Sequence, residues 1–183
     1  ERHIYEGPEF LESFLSYGFD ETSVYLSPAP LYHAAPFAFT NRTHVLGGTV
    51  IMMPRFDAEA SLRLIEKYKV THSQWVPTMF IRMLKLEEDR RGTYDLSTHK
   101  VAIHAAAPCP IEVKRRMIEW WGPIFRDAYG ASEVGTVCAI TSEEWLEHEG
   151  SVGRTIPPFS AEVLDEDFNV LPPNTEGRLF FRD

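Results

Sequence analysis

The stretch TVIMMPRFDAEASLRLIEKYKVTHSQWV, residues 49–76, decides the fold class. Its first five residues are β-branched or apolar and stop at Pro54, which indicates a strand. Asp57 is a typical N-cap residue. Four residues of one predicted helix face then recur at intervals of four, three and three: Ala58, Leu62, Ile65 and Tyr68. The run 70–76 is a second strand, ended by Pro77, so the stretch predicts a βαβ unit with parallel strands.

Strands and helices also alternate on both sides of this unit. The other predicted elements are a strand over 24–26, a helix over 33–46 ended by Gly47 and Gly48, a helix over 78–86 capped by Thr78, a loop over 87–95, a strand over 100–106, a helix opening at 108–110 and a strand over 124–128. The predicted fold class is therefore α/β, a mostly parallel sheet with flanking helices, followed by the start of a β-rich subdomain.

The domain prediction follows from the change of pattern near Gly150. Residues 1–149 are interpreted as a central α/β part, whereas residues 150–183 read as the beginning of a β-rich subdomain with a hairpin around 165–167. The sequence begins without Met and stops in the apolar run 179–181. We therefore expect the parent protein to be longer at both ends.

Composition excludes several classes of function. The 183 residues carry 18 Lys and Arg against 27 Asp and Glu, a net charge of −9, which argues against a nucleic-acid partner. Two cysteines without CxxC spacing indicate neither a disulfide framework nor a zinc ribbon. The first ten residues do not resemble a signal peptide, and no apolar run is long enough for a transmembrane segment. The expected location is cytoplasmic.

Four segments fall at predicted strand ends, where parallel α/β sheets bind ligands: residues 30–33, 75–78, 105–108 and 129–133. In the last of them, Gly130 permits a sharp turn, Tyr129 offers an aromatic plane for a base, Ser132 a hydroxyl for phosphate and Glu133 an oxygen ligand for magnesium. The same pattern is equally compatible with a turn in which Ser132 and Glu133 cap a helix. The small residues 105–107 suit either a flat ring or tight packing.

Six segments, in order, resemble the motifs of the superfamily of acyl- and aryl-CoA synthetases, luciferases and peptide-synthetase adenylation domains. Residues 129–133 are similar to Tyr-Gly-x-Thr-Glu, 30–33 to Pro-x-(Tyr/Phe)-His, 76–78 to Val-Pro-Thr, 105–108 to Gly-Gly-Ala-Pro, 150–154 to Gly-Ser-Val-Gly-(Arg/Lys) and 177–179 to Gly-Glu-Leu. The runs 31–36 and 71–79 look closest to bacterial fatty-acyl-CoA synthetases.

The resemblance implies an AMP-forming acid–thiol ligase that uses ATP, magnesium and coenzyme A. A carboxylic acid, expected to be a fatty acid, would become acyl-AMP and then be transferred to coenzyme A. Glu133 would hold magnesium, Ser132 would bind phosphate or the acyl-adenylate, and His33 would lie where the carboxylate and thiol channels meet; these are the implied catalytic residues. The implied nucleotide-binding residues are Ala106, Ala107, Pro108, Asp127, Ala128, Tyr129, Gly130, Ala131 and Ser132. Besides His33, the implied substrate-binding residues are Phe37, Trp75 and Met79, for which core packing stays an alternative.

The sequence also departs from the superfamily pattern. The Ser/Thr/Gly-rich phosphate loop ending in Pro-Lys-Gly and the Thr-Gly-Asp motif are absent from these residues, Ser132 replaces Thr, and Ala105-Ala106 replaces Gly-Gly. We therefore expect the 183 residues alone to have no ligase activity, and acyl-CoA formation by them would contradict this. Two alternatives stay open: an adenylation domain that loads a carrier protein, and a non-enzymatic α/β nucleotide-binding module.

Overall fold

A computed structural model of the chain describes residues 14–131 and 134–182. Its strands are β1 (Val24–Ser27), β2 (Thr49–Met52), β3 (His72–Trp75), β4 (Val101–His104), β5 (Phe125–Ala131), β6 (Gly135–Thr141), β7 (Arg154–Thr155), β8 (Ser160–Leu164) and β9 (Arg178–Arg182). Its helices are α1 (Ala34–Val45), α2 (Ala58–Tyr68), α3 (Pro77–Leu84), α4 (Glu88–Arg91), α5 (Ile111–Trp121) and α6 (Ser142–Glu147).

Seven strands form one sheet in the order β2-β1-β3-β4-β5-β6-β7. The first five are mutually parallel, while β6 and β7 run antiparallel to their neighbours. Strand order reverses between β1 and β3, and such a switch point opens a crevice at the carboxyl ends of the strands. The predicted fold class, a mostly parallel sheet with flanking helices, is confirmed.

The sheet is covered on both faces by separate apolar clusters. One cluster joins α2, α3 and α5 to the sheet and includes Trp75, Phe80 and Trp121. The other packs Phe39 of α1 and Tyr25 of β1 against the aromatic residues at 14 and 19. Successive strand residues alternate between the two, as Tyr25 and Leu26 do. Burial on both faces explains why β1 and β4 consist mainly of apolar or small residues.

The cap and the two central stripe residues of α2 act as predicted, whereas the outer stripe residues do not: Ala58 is half-buried and Tyr68 is 41% exposed. The Asp57 carboxylate accepts a hydrogen bond from the Ala60 amide at 2.8 Å, and the stripe residues Leu62 and Ile65 are fully buried. The helix ends at Lys69, whose backbone is left-handed with φ +51°. Cap and stripe are local features, which is why the sequence alone predicts this helix.

Two local predictions were wrong. Thr78 does not cap α3: Val76 is the N-cap and Pro77 occupies the first turn, where its missing N–H is not needed. The predicted loop 87–95 contains the short helix α4, and Arg90 of that helix contacts Glu59 at 2.8 Å.

The antiparallel part of the sheet was not predicted. β5 continues into a hairpin with β6, and α6 then starts with a capping box in which Thr141 and Glu144 each bond the other's backbone. β7 still pairs with β6, while β8 and β9 form a separate two-stranded sheet. The division of the chain at residue 150 stays a prediction. Among the described residues, no helix is long and apolar enough to cross a membrane.

Candidate functional site

Parallel α/β sheets bind ligands at the carboxyl edge, and in this sheet β1, β3, β4 and β5 end at that edge. Two neighbouring strands bring most of the predicted nucleotide-binding residues together there. β4 pairs with β5 so that His104 lies beside Asp127. Residues 105–108 and 128–131, which follow these two partners, are therefore adjacent, and we name them the β4 lip and the β5 lip.

The β4 lip is exposed and holds an unusual backbone conformation. Ala106, Ala107 and Pro108 are exposed, and Ala106 is left-handed with φ +77°. That region is unfavourable for a residue with a Cβ. Burial raises the pKa of the Cys109 thiol, just beyond this lip, to about 11, with the Asp127 charge adding to the effect. The thiol is therefore a neutral neighbour of the lip and not a nucleophile.

Ala106→Gly is expected to stabilise the protein by about 1 kcal/mol, because glycine adopts positive φ without the Cβ penalty. Urea unfolding followed by tryptophan fluorescence measures the change. Ala105→Gly is the matched control: Ala105 does not have positive φ, so there glycine should only add flexibility and destabilise by roughly 0.5–1 kcal/mol. Equal effects of the two substitutions would contradict a strained Ala106.

The β5 lip presents one aromatic ring and a very small turn. Tyr129 is 39% exposed, and its ring centroid lies 6.1 Å from that of Phe181 in β9. A Cβ on Gly130 would meet the Gly135 carbonyl oxygen at 1.9 Å. The hairpin to β6 therefore requires glycine here whether or not a ligand binds.

A buried ionic cluster lies directly beneath the two lips. Lys114 Nζ of α5 donates to Asp127 Oδ2 at 2.5 Å, and His104 Nδ1 lies 3.3 Å from Asp127 Oδ1. The Lys114 side chain is 1% exposed and its ammonium lies 4.4 Å from the Trp145 ring centroid. Burial lowers the pKa of Lys114, and the Asp127 carboxylate opposes this shift.

Sequence reasoning missed Lys114 and His104. The sequence did contain a pattern that points to Lys114. Ile118 follows it by four residues and Trp121 by seven, and this helical spacing places Lys114 on the buried face of α5. A lysine at such a core position needs a buried anionic partner. Nothing in the local pattern says that this partner is Asp127, which belongs to another element.

His33 lies at the carboxyl end of β1, as the predicted site requires. It is the N-cap of α1 and is exposed, and its ring centroid is 4.5 Å from that of Tyr32. Phe37, one turn along α1, is 46% exposed. Both side chains are therefore accessible at the switch point between β1 and β3.

Trp75 and Met79 lie elsewhere, in the core. Trp75 has no exposed surface, its ring packs edge-on against Trp121 at 5.5 Å, and its Nε1 donates to Ser73 Oγ. Met79 is 8% exposed in the same cluster. These contacts support core packing, the alternative role of both residues. Neither side chain offers a surface to a ligand in this structure.

Ser132 and Glu133, the predicted phosphate and magnesium residues, lie outside the described residues. Within the described ranges, no three His, Cys, Asp or Glu side chains come together as a metal site. The exposed ring of Tyr129 offers an aromatic face of the kind that suits a nucleotide base, and residues 106–108 are exposed at the end of the neighbouring strand. The assignments for the whole set of site residues stay predictions.

Comparison with known proteins gives matches along almost the entire chain. The family model described as AMP-binding enzyme matches residues 9–183. The chain is 33% identical to the 4-coumarate–CoA ligase-like 6 of Oryza sativa subsp. japonica, over 87% of this chain and 27% of that protein. It is 30% identical to the long-chain-fatty-acid–CoA ligase of Bacillus subtilis, over 86% of this chain and 28% of that protein. The chain thus spans about a quarter of the length of these curated relatives.

Solved structures match the fold. The amide bond synthetase McbA from Marinactinospora thermotolerans superposes with a TM-score of 0.84 at 23% identity, over 94% of this chain and 36% of that one. The o-succinylbenzoate coenzyme A synthetase of Bacillus subtilis, solved with ATP and magnesium, gives 0.80 at 21% identity, over 95% and 35%. At such identities these structures support the fold alone. The family match over residues 9–183 establishes that the chain belongs to the AMP-binding enzyme family.

Proposed function

We propose that the chain is part of an ATP-dependent, AMP-forming acyl-CoA synthetase. The observation that carries the proposal is the adjacency of the two lips: the β4 and β5 segments that resemble superfamily motifs follow paired residues of neighbouring strands and are exposed together. Membership of the AMP-binding enzyme family and the names of the relatives, which are CoA ligases, support the same activity.

In the proposed reaction, a substrate carboxylate oxygen attacks the α-phosphorus of ATP, and the bond to the leaving pyrophosphate breaks. The thiolate of coenzyme A then attacks the acyl carbon of the acyl-adenylate and AMP leaves. Magnesium, held by Glu133, would supply positive charge that balances the phosphates. Two exposures support the binding part of the proposal: the Tyr129 ring is 39% exposed and would offer a face to the adenine ring, and residues 106–108 are exposed at the neighbouring strand end.

His33 is proposed to act on the acid. Its position at the end of β1, exposed at the switch point, suits donation of a hydrogen bond to charge that develops on the reacting carboxylate. Phe37, exposed one turn further along α1, is proposed to contact the acyl group. A fatty acid is the proposed substrate, supported by the bacterial long-chain-fatty-acid–CoA ligase among the relatives.

The deciding experiment uses the full-length parent protein. Glu133→Ala is expected to abolish acid-dependent exchange between ATP and pyrophosphate, because removing a magnesium ligand removes charge stabilisation from the phosphoryl transfer. Glu147→Ala, an exposed glutamate in α6, is the matched control and should retain the exchange. Exchange that survives Glu133→Ala would contradict the magnesium role of Glu133, whereas the absence of exchange in the unmodified parent would contradict the ligase proposal and favour a nucleotide-binding module. Formation of acyl-CoA, in place of an acylated carrier protein, tests the acceptor.

A further inference from the structure

The β4 lip is enclosed by two residues that converge on one carboxylate. His104, the last residue of β4, precedes the lip, and Lys114, in the first turns of α5, follows it. Both reach Asp127 of β5: Lys114 contacts Oδ2 at 2.5 Å, and His104 Nδ1 lies 3.3 Å from Oδ1. The carboxylate thus holds Lys114, after the β4 lip, by a hydrogen bond, whereas His104, before the lip, lies beside Oδ1 without a hydrogen bond and is joined to Asp127 by the pairing of β4 with β5.

The carboxylate of Asp127 is largely buried, with 12% of its side chain exposed. Its Oδ1 atom is fully buried and has no hydrogen-bond partner among the described residues besides the close approach of His104. Lys114 is enclosed further by the Trp145 ring, and the His104 ring packs on Phe80 with centroids 5.6 Å apart. The side chain of Asp127 therefore anchors the site from beneath, although the resemblance assigned this residue to nucleotide binding.

The conformation of the β4 lip needs such an anchor. Ala106 holds a left-handed backbone that a residue with a Cβ avoids, and strained residues persist only where surrounding contacts fix them. The lip itself is exposed, so little packing holds it from outside. The Ala105 amide of the lip donates to the Trp75 carbonyl oxygen at 3.3 Å, and the charged or polar side chains that flank the lip are those of His104 and Lys114.

We propose that Lys114, Asp127 and His104 form a positioning clamp that holds the two lips at the spacing needed to bind an adenine nucleotide. The clamp acts through the backbone of the lips, and Lys114 and His104 touch no ligand. The nucleotide part of this inference rests on the proposed function, whereas the clamping of the lips does not. In some other proteins a buried polar or ionic group is retained for conformational specificity more than for stability.

The test uses the double variant Lys114→Met/Asp127→Asn in the full-length parent. Lys114→Met alone leaves a buried carboxylate unpaired and can prevent folding, whereas the double variant removes both charges. Ile65→Ala, a fully buried residue of α2, serves as a control for general destabilisation. The two readouts are hydrogen exchange of backbone amides and the dissociation constants of AMP and GMP from calorimetry.

We expect the double variant to exchange amides of 105–109 and 128–131 about tenfold faster or more, while other amides follow the control. The preference for AMP over GMP should fall about tenfold or more, because misplaced lips no longer fit the base. Lip exchange that matches Ile65→Ala would overturn the clamp, and so would an unchanged preference despite faster lip exchange. Failure of the unmodified parent to bind AMP would instead contradict the proposed function, with hydrogen exchange still testing the clamp.

Discussion

Lowering the pH from 6.5 to 4 is expected to destabilise the folded protein by about 3 kcal/mol for each of two buried histidines, His72 and His99. Burial lowers the pKa of His72 to about 4 and that of His99 to about 3. The unfolded chain takes up these protons below about pH 6.5, but the folded protein does not until about pH 4 or 3. Stability from both groups is therefore complete above pH 6.5 and is lost as the pH falls.

The contacts of the two imidazoles explain why the fold prefers their neutral forms. His72 stacks on Phe19 with ring centroids 4.0 Å apart, and His99 packs edge-on against Trp121 at 5.0 Å. His99 Nε2 and Ser73 Oγ are 2.6 Å apart in the same buried network as Trp75. A proton added to either ring would place a charge in an apolar environment.

Urea unfolding at pH 7, 5 and 4 measures this effect. In the variant His72→Gln the glutamine cannot be protonated. Its free energy of unfolding should therefore decrease between pH 6.5 and 4 by roughly half as much as that of the unmodified protein. Neighbouring hydrogen bonds from Thr22 lower the pKa of Asp20, and those from Ser97 lower that of Asp95 to about 2, so these carboxyl groups add a decline at lower pH. If His72→Gln keeps the entire decline, the histidine is not its source.

Gly153→Ala is expected to destabilise the protein by about 2–5 kcal/mol, the combined cost of a left-handed backbone and of overpacking. Gly153 has φ +89°, and a Cβ there would lie 1.9 Å from the Ala139 carbonyl oxygen and 2.7 Å from Ile140 Cβ. Because both neighbours belong to β6, the clash cannot be relieved without opening the pairing of β6 with β7.

Gly122→Ala separates the two contributions. Gly122 has φ +82°, but a Cβ there would meet nothing within 4 Å. The ψ of Gly122 is −178°, a region essentially restricted to glycine, so the control should destabilise by about 1–3 kcal/mol, the backbone part alone. The midpoint of urea unfolding gives both values, and equal values for the two variants would show that the close approach to β6 does not matter. Gly153 belongs to the motif at 150–154. Its close packing against β6 explains on structural grounds why glycine stands at this position, whether or not the motif also has a function.

The parts of the fold that could be predicted are those specified by neighbours in sequence. α2 has its cap at Asp57 and its stripe within one helix, and Pro54 and Pro77 end the strands on either side. The β5–β6 hairpin could not be predicted from such neighbouring residues. It depends on Gly130 letting the Gly135 backbone approach, a contact between strands that composition does not reveal.

The candidate site shows the same difference between features specified by neighbouring residues and contacts between separate elements. Motif resemblance located the lips and His33, which the structure presents as exposed segments at one edge. It could not distinguish a tunnel wall from the core at Trp75, because an aromatic residue at a strand end suits both environments. Nor could it find the partner of Lys114, because Asp127 lies 13 residues away on a different element.

The strand order also bears on how the protein resists aggregation. An edge strand offers unpaired N–H and C=O groups to another chain, and long exposed edges are therefore sites of intermolecular pairing. Here the seven-stranded sheet ends in β2, with four residues, and β7, with two. Pro54 follows the first within two residues, and Pro157 follows the second. Within the described residues, both edge strands are therefore short and followed by proline, which leaves only a short ladder that another chain could extend.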